Sequence, residues 1–257
     1  MTHSQQALDT AVLAGKILLE NGGEISRVQG TIIHFLEAFG IHEHNVYVIS
    51  NGIFATIGES GEAPCHAVRA IRMGRTHLGR IAAVNELSRE VAVPGAHLGL
   101  EAIHHRLEEA ERLPAPPRWL LLLCCAMGCA GFGFIMGGSA WDSVSAFLCG
   151  LVLQYFLMGT VKVNRFMVNI MGGALVTALA QLLILMGVGG SLDCVIIGAI
   201  IPLVPGVLLT TAIRDFFNSD YVSGAIHLIE ALLIAACIAV GVGGMLSFLG
   251  FAKGVLL

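Results

Sequence analysis

The sequence predicts an α-helical integral membrane protein of about five transmembrane helices with a small α+β domain at its N-terminus. Hydrophobic residues make up 56% of the 257 residues and charged residues only 12%, against about 25% in an ordinary soluble domain. Of the 18 acidic residues 13 lie in residues 1–118, as do 10 of the 14 basic residues. The nearly uncharged remainder contains apolar stretches of about 20 residues, the length of a membrane span. Two domains follow, residues 1–118 and 119–257.

The N-terminal domain begins with two amphipathic helices. Apolar residues at helical spacing predict the first over 5–20 and the second over 26–39. Asn51-Gly52 lies between two β-rich runs, which predicts a hairpin whose two turn residues have positive φ. A third strand over 65–72 and helices over 77–92 and 96–112 complete the domain, which is therefore predicted to be α+β.

Charge and terminal sequence exclude several classes. The net charge of −4 comes without a basic stripe, so we expect no nucleic-acid partner. The first ten residues lack the basic start and apolar run of a signal peptide, so we expect a cytoplasmic N-terminal domain. His42-Glu43-His44 and His104-His105 match no known zinc spacing. We expect these histidines to be solvated, and we expect no metal and no cofactor.

Five apolar stretches predict the membrane spans. They cover about 119–138, 143–161, 166–187, 193–213 and 222–250. Lys162, Arg165 and Arg214 lie in connectors on the side of the N-terminal domain, and Lys253 alone lies on the other. Basic residues favour the cytoplasmic side, so we expect a multi-pass membrane protein of fixed orientation. Its N-terminus would be cytoplasmic and its C-terminus outside.

The fifth span carries small side chains every four residues, a pattern that lets helices approach closely in lipid. The members of this row are Ser223, Ala231, Ala235, Ala239, Gly243 and Ser247, with His227 in the same row. The row predicts a helix–helix contact within the chain or with another subunit.

The fourth span is interrupted near its middle by Pro202 and Pro205-Gly206. Proline has no N–H and cannot bond the carbonyl four residues earlier, so the carbonyls of Gly198 and Ile201 are expected to lose their helical partners. Unpaired backbone is tolerated in a membrane only where protein or a wet cavity satisfies it, and transporters build binding sites at such breaks. A simple proline kink is the alternative.

Polar residues crowd the cytoplasmic mouth between spans 4 and 5, and we treat them as candidates for substrate binding: Arg214, Asp215, Asn218 and Asp220. His227 and Glu230 follow one helical turn apart inside span 5. Ionisable residues inside a membrane mark function by default, so this pair is a candidate for proton coupling. A structural Glu230, bonded to His227 or to a neighbouring helix, is the alternative.

A second polar cluster lies between spans 2 and 3. It contains Lys162, Asn164, Arg165 and Asn169. Its positive charge would attract an anionic substrate during translocation, while ordinary topology anchoring explains the same residues equally well.

Four segments carry a resemblance to a known family. They are GGEISRVQGT (22–31), VNELSRE (84–90), IPLVPGVLLTTAIRD (201–215) and HLIEALL (227–233). The chain resembles the threonine/serine exporter (ThrE) family over nearly its whole length, as the larger subunit of the split, two-component form. The resemblance implies a motif of Gly22, Gly23, Glu24 and Arg27 in the cytoplasmic domain.

The resemblance also implies what the protein does. It implies a non-enzymatic exporter of small polar metabolites, such as threonine, serine or small carboxylates, driven by the proton gradient as in an antiporter. It further implies a smaller membrane partner of about four spans and an oligomeric assembly in the lipid bilayer. A membrane scaffold or sensor remains an alternative, as does an intramembrane enzyme, although the PLVP segment is not accompanied by the GxGD motif of membrane aspartyl proteases.

Overall fold

The computed structural model describes residues 2–58, 64–72, 74, 76–93, 98–160 and 163–255. The chain folds into two compact units, Met1–Ala115 and Pro116–Leu257. Each unit has its own hydrophobic core, and each is described separately.

The described residues of the N-terminal unit form four helices and a three-stranded sheet. In chain order these are α1 (His3–Glu20), α2 (Ile25–Ala38), β1 (His44–Ile49), β2 (Gly52–Ile57), β3 (Cys65–Ala70), α3 (Leu78–Val91) and α4 (Leu100–Glu111). The strands are antiparallel in the order β1-β2-β3. Helix α1 packs against the other three helices and against β2 and β3, so its fully buried Leu8 and Ile17 lie at the centre of the core. The predicted α+β fold is confirmed.

The hairpin forms, but its turn lies one residue earlier than predicted. Ile49 pairs with Gly52, which leaves Ser50 and Asn51 as the two loop residues. In the described part of the chain Ser219 is the one non-glycine residue with positive φ, so the expected positive φ at Asn51 was wrong. Gly52 is instead part of the ladder, because it pairs with Ala70 on its other side.

The second unit is helical. It consists of α5 (Arg118–Ile135), α6 (Ala140–Gly159), α7 (Arg165–Leu185), α8 (Leu192–Ile200), a 3₁₀ turn (Ile201–Leu203), α9 (Gly206–Phe217) and α10 (Tyr221–Val255). In the described residues four helices are long and apolar enough to cross a membrane, and the bent pair α8–α9 makes up to five. The predicted α-helical membrane class is confirmed.

Glycines bring the helices of this unit close together. A methyl group added to Gly198 of α8 would lie 2.7 Å from Gly133 of α5. One added to Gly150 of α6 would lie 2.7 Å from the Cys129 sulfur, also on α5. On α10, a methyl at Gly241 would overlap the Ile170 carbonyl of α7. Backbone thus approaches backbone, as small residues permit in lipid.

Only the first part of the small-residue row in the fifth span packs against other helices of this unit. Ser223, His227 and Ala231 are buried, whereas the later members of the row are exposed. A spacing of four residues advances about 400° around a helix of 3.6 residues per turn, so the row drifts away from the partner helix. The buried stripe continues instead through Ile234 and the further residues Ile238 and Gly241.

Candidate functional site

The predicted interruption of the fourth span is present as a helix break at Ile201–Pro205. Helix α8 ends at Ile200, a 3₁₀ turn follows, and Val204 is extended before α9 begins at Gly206. The axes of the two helical segments differ by 61°. Pro202 and Pro205 produce this bend, since neither can donate the helical hydrogen bond.

The two sides of the helix break differ. Gly198 and Leu203 are buried, the latter in contact with Gly172 of α7. Pro202 and Gly206 lie on the exposed surface of the unit, and Pro205 is half-buried. The Ile201 carbonyl accepts a hydrogen bond from the Val204 N–H at 3.1 Å. The expectation that this carbonyl lacks a partner was therefore wrong, because the 3₁₀ turn supplies one.

After the break, α9 and α10 form a tight hairpin. The Asp220 N–H donates to the Asp215 carbonyl and the Ser219 N–H to the Phe216 carbonyl, which is the Schellman pattern. Ser219 occupies the position usually taken by glycine, with φ of 64°. Gly224 then admits the Phe216 ring, since an added methyl would lie 2.9 Å from it.

The hairpin encloses a buried imidazole–carboxylate pair. His227 Nδ1 of α10 lies 2.9 Å from Asp215 Oδ2 of α9, and the two side chains are 4% and 3% exposed. Nδ1 of His227 thus contacts α9, whereas Glu230, the other candidate for proton coupling, contacts Arg165 of α7. Asp215 thus belongs to the interior of the hairpin.

Glu230 contacts a different helix. Its carboxylate lies 2.5 Å from Arg165 Nη1 of α7 and is 29% exposed. This contact corresponds to the structural alternative for Glu230 and links α10 to Arg165 of the second polar cluster. Lys162, predicted to belong to the same cluster, lies outside the described residues.

The other candidates at these helix ends take part in local backbone hydrogen bonds. Asn164 caps α7 by accepting from the Phe166 N–H at 2.9 Å. The buried Asn169 donates to the Arg165 carbonyl at 2.9 Å. Asp220 accepts from the Ser223 N–H at 3.3 Å. Two candidates, Arg214 and Asn218, are exposed.

Ser223 lies one helical turn before His227 and is fully buried. Among the described residues its hydroxyl is the one buried side-chain oxygen or nitrogen without a hydrogen-bond partner. A buried hydroxyl without a partner is costly, so the hairpin interior has an unused hydrogen-bonding group close to the Asp215–His227 pair.

Sequence reasoning missed the role of Asp142. The buried carboxylate accepts from the Ser139 N–H at 2.8 Å and the Ser139 hydroxyl at 2.7 Å. Its other oxygen accepts from the N–H groups of Gly190 at 2.7 Å and Ser191 at 2.9 Å. Asp142 therefore joins the N-termini of α6 and α8. The Ser139-x-x-Asp142 spacing of a capping box is the signal that was available.

The glycine motif of the N-terminal unit has a structural explanation. Gly22 has φ of 90°, and the Gly23 N–H donates to the Leu18 carbonyl at 2.7 Å, so the pair forms a Schellman cap for α1. Glu24 begins α2 and accepts from the Ser26 hydroxyl. Arg27 is exposed on α2.

The fold and these contacts define a multi-pass helical membrane protein with a helix break and a buried imidazole–carboxylate pair. The family described as "Putative threonine/serine exporter" (ThrE) matches residues 9–249, and the chain belongs to this family. It is also 21% identical over 244 residues to a Mycobacterium tuberculosis (strain ATCC 25618 / H37Rv) protein named "Probable threonine/serine exporter". The match covers 93% of this chain and 46% of that relative, so the chain spans about half the relative's length. No solved structure matches.

Proposed function

We propose that the chain is one subunit of a proton-coupled exporter of small polar amino acids such as threonine and serine. The observation that carries this proposal is the helix break in the fourth span, with the buried Asp215–His227 pair at the opposite end of α9. Secondary transporters place substrate at such breaks and coupling ions at nearby ionisable groups. The family and the name of the relative support the substrate class.

The N-terminus of α9 is the proposed binding site for the substrate carboxylate. The positive end of a helix dipole favours an anion, and half-helices in transporters use it in this way. Gly206 leaves this end open, because an added methyl would meet nothing within 4 Å. Polar residues on the cytoplasmic side are proposed to attract the substrate toward this binding site. They are Arg214, Asn218, Asn164 and Lys162.

Proton coupling is proposed to reside in His227 together with Asp215. Imidazole is the side chain that gains and loses charge near neutral pH. The Asp215 carboxylate attracts the charged ring more strongly than the neutral ring. Proton transfer would therefore change how firmly α9 is held against α10. The pairing of Glu230 with Arg165 makes Glu230 a contact between α7 and α10 in this proposal, with no coupling role.

A second membrane component is proposed to complete the carrier. The relative is about twice as long as this chain, and carriers usually need two repeats or bundles around one site. Within the described residues α9 packs principally against α10, and Val207 and Phe217 are 73% and 84% exposed. We propose that the smaller partner of about four spans covers this face in the bacterial inner membrane, with the N-terminal unit in the cytoplasm and the C-terminus outside.

The test is efflux of labelled L-threonine from proteoliposomes that contain the chain together with its partner, under an imposed pH gradient. We expect His227→Gln to remove the dependence of flux on the gradient while exchange at equal pH persists. His34→Gln is the matched control, because His34 is exposed in the N-terminal unit.

Glu230→Gln separates the two assignments of the coupling role. We expect it to leave the pH dependence of flux unchanged, since Glu230 contacts Arg165 and not His227. Gradient-driven flux that persists in His227→Gln would refute the coupling role. An absence of threonine and serine flux with both components present would refute the exporter itself.

A further inference from the structure

A groove between α1 and α4, within the N-terminal unit, has no role in the mechanism above. It consists of two adjoining cavities of about 430 Å³ and about 280 Å³. Asp9, His104 and Glu108 line both cavities. The larger cavity falls in the range of small-molecule sites, roughly 300–1,000 Å³. We call this the charged groove.

Charges of both signs meet where the two cavities join. Arg69 of β3 reaches Asp9 of α1, with its Nη2 3.1 Å from Oδ1. The two side chains are 51% and 22% exposed, so a ligand in the groove can reach both. A guanidinium has five N–H donors, and Arg69 can therefore bind a second carboxylate while it keeps Asp9.

His104 is oriented by a buried hydroxyl. Thr10 donates its hydroxyl proton to the Gln6 carbonyl at 2.8 Å, so it accepts from Nδ1–H of His104 at 3.0 Å. Nε2 of the neutral ring is then an acceptor, and it lies 3.8 Å from Glu108 Oε1. When the ring is neutral both atoms are acceptors, and an ammonium group that bridges them from the groove can donate to both.

We propose that the charged groove binds a free amino acid in its zwitterionic form. The ammonium group lies among His104, Glu108 and Asp9, and the carboxylate binds Arg69. Binding groups of opposite charge in one groove select a zwitterion over a simple cation or anion, because a simple ion satisfies only one of the two groups. The choice of threonine as the ligand rests on the proposed function. The N-terminal unit is thereby a second amino-acid site, outside the membrane-spanning unit.

The test is ¹³C NMR of histidine-labelled full-length protein in lipid nanodiscs, with the His104 signal assigned by its loss in His104→Gln. We expect L-threonine to shift the His104 signal with a Kd of about 1 mM, which corresponds to about −4 kcal/mol. The exposed His42 serves as the internal control. L-threoninamide lacks the carboxylate and N-acetyl-L-threonine lacks the ammonium, so each is expected to bind at least about tenfold more weakly, a loss of about 1.4 kcal/mol.

Variants identify the groove as the source of the signal. Asp9→Asn and Arg69→Gln are each expected to weaken the response of His104 about tenfold or more, the loss of one charged contact. Glu37→Gln is the matched control, because Glu37 is a 51% exposed carboxylate outside the groove. Equal responses to L-threonine and L-threoninamide, or no response to about 10 mM L-threonine, overturn the proposal.

The same sample separates this inference from the proposed function. His227→Gln is expected to lose gradient-driven flux and to keep the full His104 response. A protein without threonine flux whose His104 signal still responds selectively to the zwitterion supports the groove and refutes the exporter. Normal threonine flux with a His104 signal that does not respond to L-threonine supports the exporter and refutes the groove.

Discussion

The Lys16–Glu111 pair of the N-terminal unit and the Asp215–His227 pair of the second unit have similar contact distances but differ in their exposure to water. In the N-terminal unit Lys16 Nζ lies 2.8 Å from Glu111, with both side chains about one-third exposed. This hydrogen bond raises the pKa of Lys16 above its ordinary value. In the second unit His227 lies 2.9 Å from Asp215, and both are almost completely buried. Exposed pairs contribute about 0–1 kcal/mol, whereas breaking a buried pair costs about 3–5 kcal/mol.

The comparison indicates which charges can exchange partners. Water replaces a lost partner at Lys16 or Asp9, so these groups are available to a ligand in the charged groove. Asp215 is shielded from water, so loss of its contact with His227 would weaken the packing of α9 against α10. A polar contact in the N-terminal unit is therefore suited to binding, and the one in the hairpin is suited to switching a helix between positions.

The largest effect is expected from removing one member of the buried pair. Asp215→Ala leaves His227 buried without its carboxylate, and we expect a loss of about 3–5 kcal/mol in the free energy of unfolding. Glu111→Ala is the matched change at the exposed pair, with an expected loss of about 0–1 kcal/mol. Chemical unfolding of both variants in the same detergent measures the difference. Equal losses would remove the distinction between the two regions.

The contact of Asp142 with two helix N-termini is expected to rank second. Asp142→Ala leaves the N–H groups of Ser139, Gly190 and Ser191 without their acceptor, and we expect a loss of about 3 kcal/mol. Asp193→Ala is the control, because Asp193 lies in the first turn of α8 but is exposed, and such dipole interactions contribute about 0.3–1 kcal/mol. Thermal unfolding of the two variants decides whether the four hydrogen bonds of Asp142 or its charge alone stabilise α8.

The sequence predicted the elements better than it predicted the contacts. Residue spacing identified the helices, and Pro202 and Pro205 located the helix break, because these signals are local to the chain. The partner of His227 was missed because Asp215 belongs to another helix, and sequence spacing carries no information on how α9 faces α10. Asp142 was missed for the same reason, since two of its donors lie 48 and 49 residues away.

A smaller effect is expected from filling the close approach of α8 to α5. Gly198→Ala places a methyl 2.7 Å from Gly133 and 2.8 Å from the Cys129 carbonyl, and we expect a loss of about 1–3 kcal/mol. Gly206→Ala is its control on the other side of the helix break, where nothing lies within 4 Å. Unfolding midpoints should fall for Gly198→Ala and not for Gly206→Ala. A flux defect confined to Gly206→Ala would support the N-terminus of α9 as the binding site for the substrate.

The smallest effect concerns a left-handed backbone conformation that follows a helix in both units. Gly22 after α1 and Ser219 after α9 are both the left-handed residue of a Schellman cap, with φ of 90° and 64°. A side chain in this conformation costs about 1–2 kcal/mol, and glycine avoids that cost. We therefore expect Ser219→Gly to raise the free energy of unfolding by about 1 kcal/mol and Gly22→Ser to lower it by a similar amount.

Flux decides what the strain at Ser219 means. A strained residue is retained where the surrounding structure needs it, often at a site that moves. If Ser219→Gly stabilises the protein and slows threonine flux, the strain belongs to the movement of α9 against α10. If the variant is more stable and transports at the normal rate, Ser219 is only a substitute for glycine. Any movement of α9 would then arise at the helix break and not at this cap.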